Sequence, residues 1–240
     1  MPKTLVLYVF YDYNNRTKHF INKGIFQDEN VDFVVISNNK NINFTVPFYV
    51  KKIIRDNIGY DFGGWSDALL KDNLYQNYEN FIFVNNSVIG PFLNCNMKWT
   101  DIYINGLTDD VKLFGSTINT CKNPIEFAHV QSYIFAMNQT TLRYLIKCEI
   151  FSLEKYARTK NDAIKQKEIL MSRYIIKNNW NIGSLLSYYK DVDFTFKNKK
   201  QSEYKILFLD DIMYKKYMNK LWTLTELVFI KGNRINYELP

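Results

Sequence analysis

Four short runs of apolar, β-branched or aromatic residues, Thr4–Tyr11, Val31–Ser37, Pro47–Ile54 and Asn80–Val84, each stop at a polar or glycine-bearing segment. Continuous apolar runs of this length are the pattern of strands buried on both faces, and functional loops gather at their ends. Helical patterns fall between them, over Arg16–Ile25 and over Ser66–Leu74 with Ser66 placed as an N-cap. Strand and helix in alternation predict an α/β fold, with a parallel-rich sheet covered by helices. Lys112–Thr117 and His129–Met137 predict further, mixed strands. Beyond Gln139 the pattern turns helical, over Thr140–Ile150, Asp162–Lys177 and Ile212–Phe229. No proline- or glycine-rich linker divides the chain, so the expectation is one domain over 1–240, sheet-rich over 1–138 and mainly helical over 139–240.

The segment Asp56-Asn57-Ile58-Gly59-Tyr60-Asp61-Phe62-Gly63-Gly64-Trp65 lies between the third strand-like run and the next helical one. That is a strand-to-helix loop, where open α/β folds keep ligand contacts. Glycine admits close backbone approach, acids and amides hold hydroxyls, and an aromatic face carries a sugar ring. A tight turn that sends Tyr60, Phe62 and Trp65 into the core explains the same residues. Here Trp65 reads as a core anchor, and Asp56, Asn57 and Asp61 read as the functional residues.

The aromatic content of 17% suits sugar or base stacking as well as an aromatic core. The net charge of +7 is carried by the last hundred residues, which have 19 Lys+Arg against 11 Asp+Glu. Those cations are dispersed, so the reading is a solvated basic surface and no nucleic-acid module. Cys95, Cys121 and Cys148 are odd in number and far apart, which favours free thiols in a reducing compartment. No stretch approaches the roughly 18–20 apolar residues that span a bilayer, and no leader pattern opens the chain. The expectation is a cytoplasmic protein without a transmembrane segment.

Two more segments carry chemistry. Phe81-Ile82-Phe83-Val84-Asn85-Asn86-Ser87-Val88-Ile89-Gly90-Pro91 is a buried strand that delivers two amides and a hydroxyl to a sheet edge. His129-Val130-Gln131-Ser132-Tyr133 holds one of two histidines at a strand start. With Arg55–Trp65, in this order and spacing, they resemble the rhamnan-synthesis protein F-like glycosyltransferases, a family with relatives encoded by large DNA viruses. Looser echoes are Lys167–Ser172 and Trp222 followed by Val228–Lys231.

The resemblance implies a GT-A fold, a Rossmann-like mixed sheet that binds a nucleoside-diphosphate sugar (UDP or dTDP) and passes the sugar to a glycan or glycoprotein hydroxyl. Rhamnose is the family-based choice of sugar and inversion the favoured course. A viral member would work in the host cytoplasm. Tyr11 and Asp12, with Asp56, Asn57, Gly59, Asn85, Asn86 and Ser87, are the donor-binding candidates. Arg55 serves either the diphosphate or a structural carboxylate. Asp61 is assigned to donor-sugar hydroxyls, and His129 and Gln131 to the acceptor or sugar side. Glu168, where the family carries its Glu, is the candidate base; an exposed Glu pairing with Lys165 or Lys167 is the alternative. Asp162, at the start of the same helix, reads as a cap or dipole partner.

The family's metal position reads Asn-Asp-Ser, but here it is Asn85-Asn86-Ser87. An amide is a poorer ligand than a carboxylate for Mn²⁺ or Mg²⁺. Weak metal binding through Asn86, recruitment of Asp61 or His129, neutralisation by Lys and Arg, and a binding-only protein all stay open. A literal Asp-x-Asp at Asp191-Val192-Asp193 reads as a surface loop, and Asp109-Asp110 and Asp210-Asp211 as solvated acids. A Rossmann methyltransferase is disfavoured, because its glycines follow the first strand and this loop follows the third.

Overall fold

The structure, a computed structural model, describes residues 4–94, 96–120, 124–197, 213–235 and 237. β1 (Thr4–Phe10) is wholly buried and leads to a short helix α1 (Asn15–His19), capped by the Asn14 side chain accepting from the Thr17 N–H at 3.1 Å. β2 (Val31–Ser37), β3 (Lys51–Ile54), α2 (Tyr60–Leu70) and β4 (Asn80–Asn85) follow. Then come β5 (Val88–Ile89), α3 (Trp99–Asn105), β6 (Val111–Gly115), β7 (Ile118–Asn119), α4 (Pro124–Phe127), β8 (His129–Val130) and β9 (Ile134–Asn138). The later part holds α5 (Gln139–Lys147), then α6 (Lys160–Asp162), which runs through π-helical turns over Ala163–Ile169 into α7 (Leu170–Lys177). It closes with β10 (Asn181–Ser184), α8 (Leu224–Leu227) and β11 (Ile230–Lys231).

Seven strands form one sheet in the order β10-β6-β9-β4-β1-β2-β3. All its neighbours pair in parallel except β9, which runs antiparallel between β4 and β6. The mixed α/β sheet expected from the alternating runs is therefore present. The chain lays β1, β2 and β3 in one direction, then returns to put β4 on the other side of β1. This makes a topological switch point between β1 and β4, where open α/β sheets take ligands. Because β9 is reversed, its leading residues His129–Tyr133 arrive at the same carboxyl edge.

Three elements differ from the sequence expectation. The third strand is only Lys51–Ile54, an exposed edge strand, and Pro47–Val50 turn ahead of it. The helix predicted to begin at Ser66 begins at Tyr60. Gly59 stands at its N-cap with φ 78°, followed by Tyr60 at φ 56°, a left-handed reversal that side-chain patterning does not display. Ser66 is no cap; it is buried in the helix, and its hydroxyl accepts from the Ser152 N–H at 3.1 Å. In the C-terminal part the expected helix over Ile212–Phe229 is a 3₁₀ turn at Lys215–Tyr217 and the single turn of α8, and β10 returns to the central sheet. Ile212 and Asp210-Asp211 lie outside the described residues, as do Cys95 and Cys121; Cys148 is a free thiol. Asp162 does cap its helix, in a reciprocal box with Thr159. Among the described residues no helix is long and apolar enough to cross a membrane.

One aromatic cluster ties α2 to the sheet. Trp65 is fully buried, meets Phe83 and Phe135 edge-on at 5.4 Å each, and donates its indole N–H to the Leu7 carbonyl at 3.2 Å. Such a side chain anchors the loop above it.

Candidate functional site

The first turn of α2 passes so close to its own approach that only glycine fits at 63, because a Cβ there would lie 2.0 Å from the Ile58 carbonyl oxygen. That same carbonyl accepts from Arg55 Nη2 at 2.7 Å. Arg55 also binds Asp67 Oδ2 at 2.8 Å and Asn38 Oδ1 at 2.6 Å, with its side chain only 8% exposed. Of the two roles open to Arg55, the structure gives it the structural carboxylate. Burial works to raise the Asp67 pKa, yet hydrogen bonds from Tyr156, Lys71 and Arg55 outweigh it and hold the carboxyl below its ordinary value.

This brace delivers Asp61 to the end of β4. Asn85 donates its amide to Asp61 Oδ2 at 3.0 Å and to the Ser132 carbonyl at 3.4 Å, and accepts from the Ser87 N–H at 2.9 Å. Ser132 in turn gives its N–H and hydroxyl to Glu168, at 3.3 and 3.0 Å. Glu168 Oε1 lies 3.7 Å from His129 Nε2, too far for a hydrogen bond. The other histidine nitrogen, Nδ1, is 2.6 Å from the Phe127 carbonyl and so carries a proton, which turns Nε2 toward Glu168. The Asp61 carboxyl is pushed up to about 6. Burial is the largest cause; the Asn85 hydrogen bond opposes it, and the negative charge of Glu168 adds to it.

Thus α2, β4, the β8–β9 corner and the α6–α7 helix each contribute one group to a continuous polar chain at the carboxyl edge. Glu168 is not an exposed helix-surface acid; its side chain is 13% exposed. A cavity of about 510 Å³ opens beside it, lined by His129, Gln131, Glu168, Arg173, Lys231 and Arg234 among others. Gln131 is buried and accepts from the Thr117 hydroxyl at 2.7 Å.

The other sequence candidates fall elsewhere along this edge. Tyr11 and Asp12 are exposed at the end of β1, beside the switch point, and the Asp12 carbonyl accepts from the Thr17 hydroxyl. Asp56 and Asn57 are exposed beyond the edge strand β3, where Asp56 pairs with Lys40 at 3.0 Å, and no hydrogen bond among the described residues joins them to the Asp61–Glu168 chain. Asp193 of the literal Asp-x-Asp is spent on the Thr195 N–H and hydroxyl, as a local turn.

Sequence reasoning missed Ser132 as the link between Asn85 and Glu168. It also missed two sources of positive charge. Arg16 donates its Nε to the Asn86 carbonyl at 3.0 Å, and β11 pairs antiparallel with β5, setting Lys231 opposite Val88. The Asn14 cap, which starts a helix just after β1, was the available signal for Arg16. Nothing local signalled the pairing of Lys231.

The residues present make a poor divalent-cation site. The Asn85 amide is already spent, position 86 offers a neutral amide, and among the described residues no three His, Cys, Asp or Glu side chains stand together as a ligand set.

The family model described as rhamnan synthesis protein F matches residues 29–216. The virulence protein VirA of Vibrio anguillarum is 37% identical over 89 residues, which are 36% of this chain and 25% of that protein. The chain therefore spans about a quarter of the length of the curated relatives it matches. Among solved structures, the apo-form glycosyltransferase GlyE of Streptococcus pneumoniae superposes with a TM-score of 0.44 at 10% identity, over 79% of this chain and 46% of that one. A cytidylyltransferase from Leptospira borgpetersenii gives the same TM-score and identity over 95% and 93%.

Proposed function

Because the chain belongs to the rhamnan synthesis protein F family, we propose that it is a glycosyltransferase that moves a sugar from a nucleoside diphosphate to a glycan hydroxyl. The observation that carries this reading is the Asp61–Asn85–Ser132–Glu168 chain, laid along the carboxyl edge and ending beside a cavity. UDP or dTDP is the nucleotide, and rhamnose is the sugar the family name suggests. Tyr11 supports the base or ribose, Asp61 receives donor-sugar hydroxyls, and the cavity beside His129 and Gln131 takes the acceptor.

Inverting transfer needs a base on the face of the sugar opposite the leaving group. Glu168 fills that role, its carboxylate oriented by the two Ser132 hydrogen bonds. The acceptor oxygen bonds to the anomeric carbon while the carbon–oxygen bond to the diphosphate breaks, its electron pair leaving on the phosphate oxygen. The acceptor proton passes to Glu168.

The test is thermal stabilisation by UDP, dTDP and GDP with and without Mn²⁺, followed by release of nucleotide from UDP- and dTDP-sugars with glycan acceptors. Absence of any melting shift overturns the reading. Saturable nucleotide binding without turnover on any acceptor favours a binding-only protein, the reading that Asn86 motivates.

A further inference from the structure

We propose that Arg16, Lys231 and Arg234 neutralise the donor's diphosphate in place of a bound divalent cation. This rests on the glycosyltransferase reading above. Departure of a nucleoside diphosphate loads negative charge onto the phosphates, and fixed positive donors stabilise it as a cation does. The acids gathered here, Asp61 and Glu168, would repel that charge, and position 86 supplies no carboxylate to hold a metal against it.

The fold brings the Lys231–Arg234 turn against the stem of Arg16 beside the switch point. Arg16 follows β1 and Asn86 follows β4, so the 3.0 Å bond between Arg16 Nε and the Asn86 carbonyl spans the crevice between those two strands. The terminal guanidinium nitrogens make no hydrogen bond among the described residues, which leaves the fork for a ligand. The β5–β11 pair is pinned beside it by the Gly232 N–H donating to the Ser87 carbonyl at 2.6 Å. A Cβ on Gly232 would come 2.9 Å from Arg16 Cδ, so the Lys231–Arg234 turn rests directly on the Arg16 stem. Lys231 and Arg234 then extend the positive strip onto the wall of the cavity that holds His129 and Glu168. A nucleotide whose base stacks near Tyr11 would meet Arg16 with its phosphates first, and Lys231 and Arg234 next, toward the transferred sugar.

The experiment is calorimetric titration of the whole chain with UDP and with uridine, once in EDTA and once in Mn²⁺. UDP is expected to bind equally, within about twofold, in both. Lys231→Gln, Arg234→Gln and Arg16→Gln should each weaken UDP about tenfold or more, while uridine binding stays unchanged. Should Arg16→Gln fail to fold by circular dichroism, the exposed Arg234 and half-buried Lys231 variants carry the comparison. UDP binding that requires Mn²⁺ overturns this inference and leaves the glycosyltransferase reading standing. UDP affinity unchanged in Lys231→Gln and Arg234→Gln overturns it too. Absence of all nucleotide binding, with or without Mn²⁺, removes the reading and the inference together.

Discussion

Asp61→Asn should make the protein more stable, and by an amount that depends on pH in a defined direction. The Asp61 carboxyl titrates at about 6 in the fold against an ordinary value of 3.8. The native state thus holds its proton more tightly than the unfolded chain does. That preference favours folding fully below pH 4 and is lost as pH rises through 6. At about 1.4 kcal/mol per pH unit the rise corresponds to roughly 3 kcal/mol, reduced to about 2 kcal/mol because the side chain keeps partial contact with water. The Asn variant carries no such penalty and still offers an oxygen to the Asn85 amide. Urea or thermal melts of both proteins at pH 4 and pH 8 should therefore show the variant gaining about 2 kcal/mol on wild type between them, or about 4–8 °C in Tm for a chain of this size. Glu168 adds to the effect through its charge, so the gain should shrink in a Glu168→Gln background. A stability difference that stays flat from pH 4 to 8 would refute the half-buried, anion-facing placement of Asp61.

Glu168→Gln should lower turnover about 10²–10⁴-fold while UDP affinity by calorimetry stays within about threefold, since a general base acts on the chemical step. Gly63→Ala should cost about 3 kcal/mol in urea unfolding, because its methyl would meet the Ile58 carbonyl at 2.0 Å and neither backbone can yield cheaply. Arg55→Met should cost about 3–5 kcal/mol by the same measurement, since it strips the largely buried Asp67 of its guanidinium partner. A nearly neutral Arg55→Met would mean that Lys71 and Tyr156 suffice for Asp67.

The strands were legible wherever burial on both faces left an apolar run, as at Thr4–Phe10, Val31–Ser37 and Asn80–Asn85. The edge strand was misjudged because Pro47–Val50 share its aromatic, β-branched vocabulary without pairing. The start of α2 was hidden by backbone: Gly59 and Tyr60 reverse the chain in left-handed conformation, and the six residues after Gly59 are helix rather than loop. At the site, motif residues Asp61, Asn85 and Ser132 proved to be neighbours, because one antiparallel strand among parallel ones delivers their segments to a common edge. Asp56 looked equivalent to Asp61 in the string, yet five positions place it out beyond the sheet edge, paired with Lys40. Arg16 and Lys231 carried no mark, since their importance comes from strand pairing between distant segments.

The β5–β11 pairing also sets an order of events during synthesis. Gly232 is made about 145 residues after Ser87, a delay of roughly 7–30 s at the usual pace of translation. During that interval the central strands β1, β2 and β4 can already associate, while β5 still lacks its partner strand. A nascent chain is therefore a folded sheet without a finished pocket. The cavity wall that carries Lys231 is completed only when β11 emerges and pairs with Val88 and Ile89.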